Sequence, residues 1–245
     1  MKAPFILHIA KKSDWEKAQA KGELVAPSLT SEKFIHFSYP HQAVESANKH
    51  YRGERDLVLL RVDESKLKSQ LKVEPSRGGE GFPHLYGPLN TDAVIEAIPF
   101  QEFGGEGFAL PARAGVSIFS KIMRGELPSY KVHEDEWTYS LLTREPIQLG
   151  HTLVVPKLEV NHFADVPEPV YSAVFRNAKL LSKAIQKATG CGRVGMVIAG
   201  WEVPHVHVHL IPTQDLSDFN FHKAKLRTPE ENAKVQAAIV DALRA

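Results

Sequence analysis

His205, His207 and His209 stand two residues apart in the run His205-Val206-His207-Val208-His209-Leu210-Ile211. Successive side chains of a strand point to opposite faces, so this spacing predicts the three imidazoles on one face and Val206, Val208 and Leu210 on the other. The rings then recur about every 7 Å. With an ordinary pKa of about 6.5, most imidazoles are uncharged near neutral pH and can act as nucleophile, general base or metal ligand. The apolar face supplies the packing that holds them, and Pro204 and Pro212 set the run off as a discrete amphipathic strand.

The bulk numbers bound what such a strand can serve. At 245 residues, with 43% hydrophobic and 24% charged residues, the chain has the balance of one large or two ordinary globular domains. Lys and Arg number 30 against 29 Asp and Glu. No net basic field draws the chain to nucleic acid or an anionic membrane, so phosphate recognition must be local. The one cysteine, Cys191, leaves no intramolecular disulfide and reads as a small buried filler. The first ten residues are too short an apolar run for a signal peptide and nothing approaches a membrane span, so the expectation is a cytoplasmic protein.

The elements that must position the histidines follow from pattern. Residues 101–115 combine glycines with a proline and little apolar periodicity, which predicts a connection and a domain boundary between residues 1–112 and 116–245. Before it, strands are predicted over 5–9, 33–37, 56–62, 71–74 and 93–98. A helix capped by Ser13 and Glu16 should end near Gly22, and another should cover 42–50. After it come a short helix over 118–123 and strands over 131–134, 138–142 and 152–156. A long helix opened by Pro169 and stopped by Gly190 precedes strands over 194–199 and 206–211. Thr228-Pro229-Glu230-Glu231 is a capping box that starts a final helix. Both halves are α+β.

Three motifs of the second half coincide. They are Ile118-Phe119-x-Lys121-Ile122-x-Arg124-Gly125-Glu126-x-Pro128, Gly150-His151-Thr152-Leu153-Val154-Val155-Pro156-Lys157, and Glu202-Val203-Pro204-His205-x-His207-x-His209. In order and spacing this resembles the histidine-triad nucleotide hydrolases and transferases over residues 116 to about 213. The resemblance implies an antiparallel sheet with a helix packed on it, usually paired about a two-fold axis into a dimer with a continuous sheet. It implies that His207 attacks the α-phosphorus of a nucleotide to give a covalent nucleotidyl-histidine that water then hydrolyses, one displacement split into two easier ones. A backbone carbonyl accepting the other ring N–H of His207 would hold the needed tautomer. His205 and His209 would orient the nucleophile and bind phosphate oxygens. His162 matches the family's fourth histidine and is expected to contact phosphate, whereas His151, entering a strand after a turn glycine, reads as structural.

Where many members carry an acidic residue for the ribose, an asparagine near the phosphate and a glutamine before the triad, this chain has Thr143, Val194 and Trp201. Thr143, Trp201 and Glu202 are the candidate substrate-binding residues. Glu202 is a candidate proton donor if burial raises its pKa, against a solvated carboxylate, and Trp201 either stacks on a base or simply packs.

The first half, with Phe34-Ile35-His36-Phe37-Ser38 and Phe82-Pro83-His84-Leu85-Tyr86-Gly87-Pro88-Leu89, resembles an uncharacterised bacterial family of unknown function. That family is similar in fold to the ADP-ribosyltransferases, in which a strand histidine and a hydroxyl residue hold a nicotinamide dinucleotide. By alternation His36 and Ser38 share one face and His84 and Tyr86 another, with His8 at a strand end, so these five residues are the candidate N-terminal pocket. Glu74 is its candidate acid. Arg77-Gly78-Gly79-Glu80-Gly81 reads as a flexible loop, lacking the strand-before, helix-after context of a dinucleotide fingerprint.

The expectation is therefore an ADP-ribosyltransferase-like domain followed by a histidine-triad domain. The second is read as a phosphoramidase or dinucleoside polyphosphate hydrolase acting on a purine nucleotide conjugate, with no cofactor, no metal, no nucleic-acid or membrane partner, and a possible homodimer. The competing readings are a nucleotide-binding regulator that does not turn over and a hydrolase whose histidines hold zinc or iron.

Overall fold

A computed structural model describes residues 5–75 and 79–244. Residues 77 and 78 of the glycine loop lie outside that range. The chain divides into two compact units, residues 1–116 and 117–245.

In the first unit, β1 (Ile6–Lys11) runs directly into α1 (Lys12–Lys21). The predicted Ser13 cap does not form: the helix starts one residue earlier, Ser13 lies inside it, and the Lys12 N–H bonds the Asp56 carbonyl at 2.7 Å. Gly22 ends α1 in the left-handed conformation, at φ +84°. Next come β2 (Glu23–Leu24), α2 (Pro27–Ser31), β3 (Ile35–His36), α3 (Pro40–His50) and β4 (Leu57–Val62). β5 (Gln70–Pro75), β6 (Gly81–Tyr86), β7 (Leu89–Asn90) and β8 (Val94–Phe100) complete it. One antiparallel sheet has the order β1-β4-β8, a second β3-β6-β5, and β2 pairs with β7.

β3 is shorter than the predicted strand over 33–37 because Lys33 turns the chain with φ +74°. Residues 101–115 form no strand of their own. They nevertheless carry Phe108, Leu110 and Ala114 into the core beside Phe5, Leu7, Leu59 and Phe100.

The second unit begins with α4 (Ile118–Met123), then β9 (Lys131–Glu134), β10 (Thr138–Leu142) and β11 (Thr152–Pro156), all with the bounds their sequence patterns predict. α5 (Val170–Thr189), β12 (Arg193–Ile198), β13 (Val208–Thr213) and α6 (Pro229–Arg244) follow. The strands form one antiparallel sheet in the order β12-β13-β11-β10-β9. Pro169 caps α5 rather than entering its first turn, and Gly190 stops it at φ +68°. The capping box of α6 is formed: Glu231 N–H donates to Thr228 Oγ1 at 3.2 Å, and Thr228 N–H to Glu231 Oε2 at 2.9 Å.

Alternation assigns the two faces of this sheet different work. Val174, Ala178, Leu181 and Ile185 recur at helical spacing on α5 and pack with Leu142, Val154, Val208 and Leu210 on one face. Leu141, Leu153 and Val155 pack on the other face with Phe119 of α4. The second face carries His209. Leu181 is fully buried, so Leu181→Ala should lower the stability of the second unit by about 2–5 kcal/mol, read as a shifted urea midpoint. An unchanged midpoint would contradict this account of the core.

Candidate active site

Only His209 of the three alternating histidines lies within β13, where it stands opposite Leu153 on β11 and Val197 on β12. The strand predicted to begin at Val206 starts at Val208. His205 and His207 sit in its approach, where the His205 N–H bonds the Val203 carbonyl and the Val206 N–H bonds the Val160 carbonyl, each at 2.8 Å. The alternation persists through this irregular stretch, since Val206, Val208 and Leu210 are all buried. The rings of His207 and His209 are closer than an ideal strand would bring them, with centroids 4.8 Å apart. Phe119 lies against His205 and His207 at 5.6 and 5.0 Å.

The hydrogen bonds assign the ring protons. A carbonyl can only accept, so the 2.7 Å contact between His207 Nδ1 and the His205 carbonyl puts the proton on Nδ1. The Nε2 lone pair of a neutral His207 is then free to attack. His205 is fully buried and has both nitrogens committed: Nε2–H donates to the Pro156 carbonyl at 2.9 Å, and Ser117 Oγ–H donates to Nδ1 at 2.8 Å. These two bonds fix His205, whose own carbonyl is the acceptor for His207 Nδ1–H.

His151 joins this group, against the reading of it as merely structural. The Ile147 N–H donates to His151 Nδ1 at 3.3 Å, which leaves the ring proton on Nε2, 3.0 Å from His209 Nδ1. His209 therefore accepts at Nδ1 and, when neutral, offers Nε2–H as a donor beside His207. Phe221 meets the His209 ring edge-on at 5.2 Å.

His162 does not join the group. It is exposed on the turn after β11, and its Nε2 contacts Asn161 Nδ2 at 3.3 Å. The fourth histidine at the triad is His151. Thr143 follows β10, its N–H bonded to the His151 carbonyl at 3.1 Å. Trp201 is 94% exposed, so it does not pack, and Glu202 is exposed near enough to His207 to favour its charged form.

In the first unit, His8 is buried and its Nδ1–H donates to the His36 carbonyl at 2.8 Å. His36 and Ser38 do not share a face: Ser38 is buried with its hydroxyl on Ser46 at 3.2 Å, whereas His36 is exposed. His36 instead stands opposite His84 across the β3–β6 pair, their rings 5.2 Å apart. Phe34 stacks on His84 at 4.1 Å. Glu74 Oε2 accepts from both His84 Nδ1–H at 2.9 Å and Tyr86 Oη–H at 2.7 Å, and these two bonds hold its carboxyl below the usual range.

Burial dominates the electrostatics of the triad. It lowers His207 and His205, and it takes His209 to about 4, with the His207 charge adding to the effect. Burial, then His209 and His207, takes His151 to about 3. At neutral pH the group therefore presents an unprotonated His207 Nε2 beside a neutral donor, His209. Both ring nitrogens of His205 are engaged, and among the described residues no set of three or more His, Cys, Asp or Glu is arranged to hold a metal.

Histidines whose folded pKa lies below the ordinary 6.5 take up protons first in the unfolded chain. Their contribution is fully present above about pH 6.5 and is lost as the pH falls toward about 3. Buried His151 alone gives a slope of up to about 1.4 kcal/mol per pH unit in that window. Denaturation midpoints should fall between pH 7 and 4.5, with a shallower slope in His151→Gln; a flat or rising midpoint would contradict the assignment.

Family models match both halves: one for a protein of unknown function, DUF952, over residues 9–97, and one for the HIT domain over residues 124–216. The chain is 35% identical over 103 residues to an adenylylsulfatase of Arabidopsis thaliana, HINT3, the match covering 40% of this chain and 52% of the relative. It is 37% identical over 99 residues to an adenosine 5'-monophosphoramidase of Saccharomyces cerevisiae, HNT1, covering 40% of this chain and 63% of that one. The chain thus spans about half to two thirds of these relatives. An uncharacterized HIT-like protein of Borreliella burgdorferi is 34% identical over 125 residues, 48% of this chain and 90% of the relative. Among solved structures, a Hit-like protein of Bartonella henselae shows 26% identity and a TM-score of 0.47, covering 51% of this chain and 95% of that one. Caulobacter crescentus protein CC0527 shows 36% identity and a TM-score of 0.41, covering 42% of this chain and 92% of that one. With the HIT-domain match over the triad and a relative covered almost end to end, the chain belongs to the HIT family.

Proposed function

We propose that the second unit hydrolyses or transfers a nucleotidyl group, with His207 as the nucleophile. The observation that carries this is the Nδ1–H bond to the His205 carbonyl, which leaves Nε2 unprotonated in a neutral ring. Attack by Nε2 on the α-phosphorus forms a P–N bond as the bond to the leaving group breaks and that group takes up a proton. Water then attacks phosphorus, and the imidazole departs. The His205 carbonyl supports the imidazolium formed in the first step, and His209 Nε2–H is the donor to a phosphate oxygen. The activities named for the two relatives, on an adenylyl sulfate and on an adenosine phosphoramidate, favour an adenosine nucleotide as the substrate.

Trp201, at 94% exposure, is available to stack on a base, and Glu202 to contact the leaving group. We place Thr143 near the ribose on the strength of the family resemblance. Pairing of two copies would run through β12: the other edge strand, β9, is covered by α6, where Gln236 Nε2–H donates to the Lys131 carbonyl at 2.7 Å. For the first unit, the convergence of His84 and Tyr86 on Glu74 supports an ADP-ribosyltransferase-like polar site built with His8 and His36.

Incubation with adenosine 5'-phosphoramidate should yield AMP, and His207→Asn should lose at least about a thousandfold in kcat while retaining binding. Wild-type binding without turnover would overturn the catalytic reading in favour of the regulatory one. Activity should survive a chelator; its loss would favour a metal hydrolase.

A further inference from the structure

The reaction described above leaves one buried chain of polar groups without a task. Ser117 and Ser120, both buried, link His205 to Glu159 across residues that are far apart in sequence. The Ser117 N–H donates to Glu159 Oε2 at 2.9 Å, and Ser120 Oγ–H donates to the same oxygen. The Ser120 N–H donates to Ser117 Oγ at 3.0 Å, and the two hydroxyl oxygens lie 3.1 Å apart. Ser117 Oγ–H then serves His205 Nδ1.

We infer that Glu159 is a positioning residue for the nucleophile, its negative charge delivered through Ser120, Ser117 and His205 to the imidazolium that forms on His207. This rests on the nucleotidyl-transfer reading and extends it. Two alignments of the same hydroxyls are possible. With His205 neutral, Ser117 donates to its Nδ1. With His205 made a cation by a proton taken up from solvent, Nδ1–H donates to Ser117, Ser117 to Ser120 and Ser120 to Glu159. No atom has to move far, because every oxygen and nitrogen already lies within hydrogen-bond distance. In either alignment the carboxylate is the final acceptor, and in its half-buried setting its charge acts over a longer range than in water. The His205 carbonyl, the acceptor for His207 Nδ1–H, belongs to the residue this chain fixes. Glu159 also works against burial by favouring the charged form of His205, whose other titratable neighbour, His207, opposes it.

The test is Glu159→Gln in the full chain, since the amide oxygen keeps the acceptor and removes only the charge. With adenosine 5'-phosphoramidate, kcat should fall about tenfold and KM stay within about twofold. By ring ¹⁵N NMR, the protonation midpoint of His205 should move to lower pH, and Ser120→Ala, which breaks one link, should move it the same way. A residue that only braced the fold would leave that midpoint where it is. A Glu159→Gln protein that titrates and turns over like wild type overturns the inference. If the wild type does not turn over the phosphoramidate, nucleotidyl transfer fails, while the His205 titration still decides the role of Glu159.

Discussion

The active site depends on one hydrogen bond, from His207 Nδ1–H to the carbonyl of His205, at 2.7 Å. A side-chain acceptor could titrate or rotate, whereas a backbone carbonyl does neither, so the bond fixes the tautomer as long as the chain around His205 is fixed. That requirement reaches outward. The His205 ring is anchored on the Pro156 carbonyl at the end of β11 and on Ser117 at the start of α4; β11 is packed on both faces, and α4 lies on one of them through Phe119. Stripping either anchor would leave a buried imidazole nitrogen without a partner, a loss of about 1–3 kcal/mol at the centre of the site.

The same burial sets the charge state. Each of His151, His205, His207 and His209 is pushed toward the neutral form, and His151 and His209 are arranged by hydrogen bonds that only neutral rings satisfy. His151 gives its Nε2–H to His209, which then presents its own Nε2–H toward the space beside the nucleophile. One ring offers a lone pair and its neighbour a proton, an arrangement suited to a phosphoryl group that must be attacked at phosphorus and stabilised at oxygen. A cleft of about 590 Å³ near Gln148, Cys191 and Lys234 and one of about 640 Å³ beside Lys131 and Lys157 have none of these histidines in their linings, so volume alone would have pointed elsewhere.

Much of the local structure is legible in the sequence. The bounds of α4, β9, β10 and β11 follow from periodicity, and Gly190 and Thr228 mark helix ends by their backbone and capping chemistry. The contacts that complete the site are not legible, because they depend on register between distant segments. Ser117 and His205 are separated by 88 residues, and His151 and His209 by 58. His162 fits a motif position, yet the turn after β11 leaves it in solvent, and the turn glycine before His151 signals structure while that residue, just ahead of β11, brings its ring to the triad. Ser38 shows the converse: alternation holds only while the strand lasts, and β3 ends at His36.

The central claim is that His207 Nε2 forms a bond to phosphorus. Rapid acid-free quenching of the wild-type chain with adenosine 5'-phosphoramidate, followed by peptide mass spectrometry, reads it directly. The account predicts an adenylyl adduct on His207 that appears before AMP accumulates and is absent from His207→Asn. An adduct on His209 or His151, or AMP released with no adduct on any histidine, would contradict it.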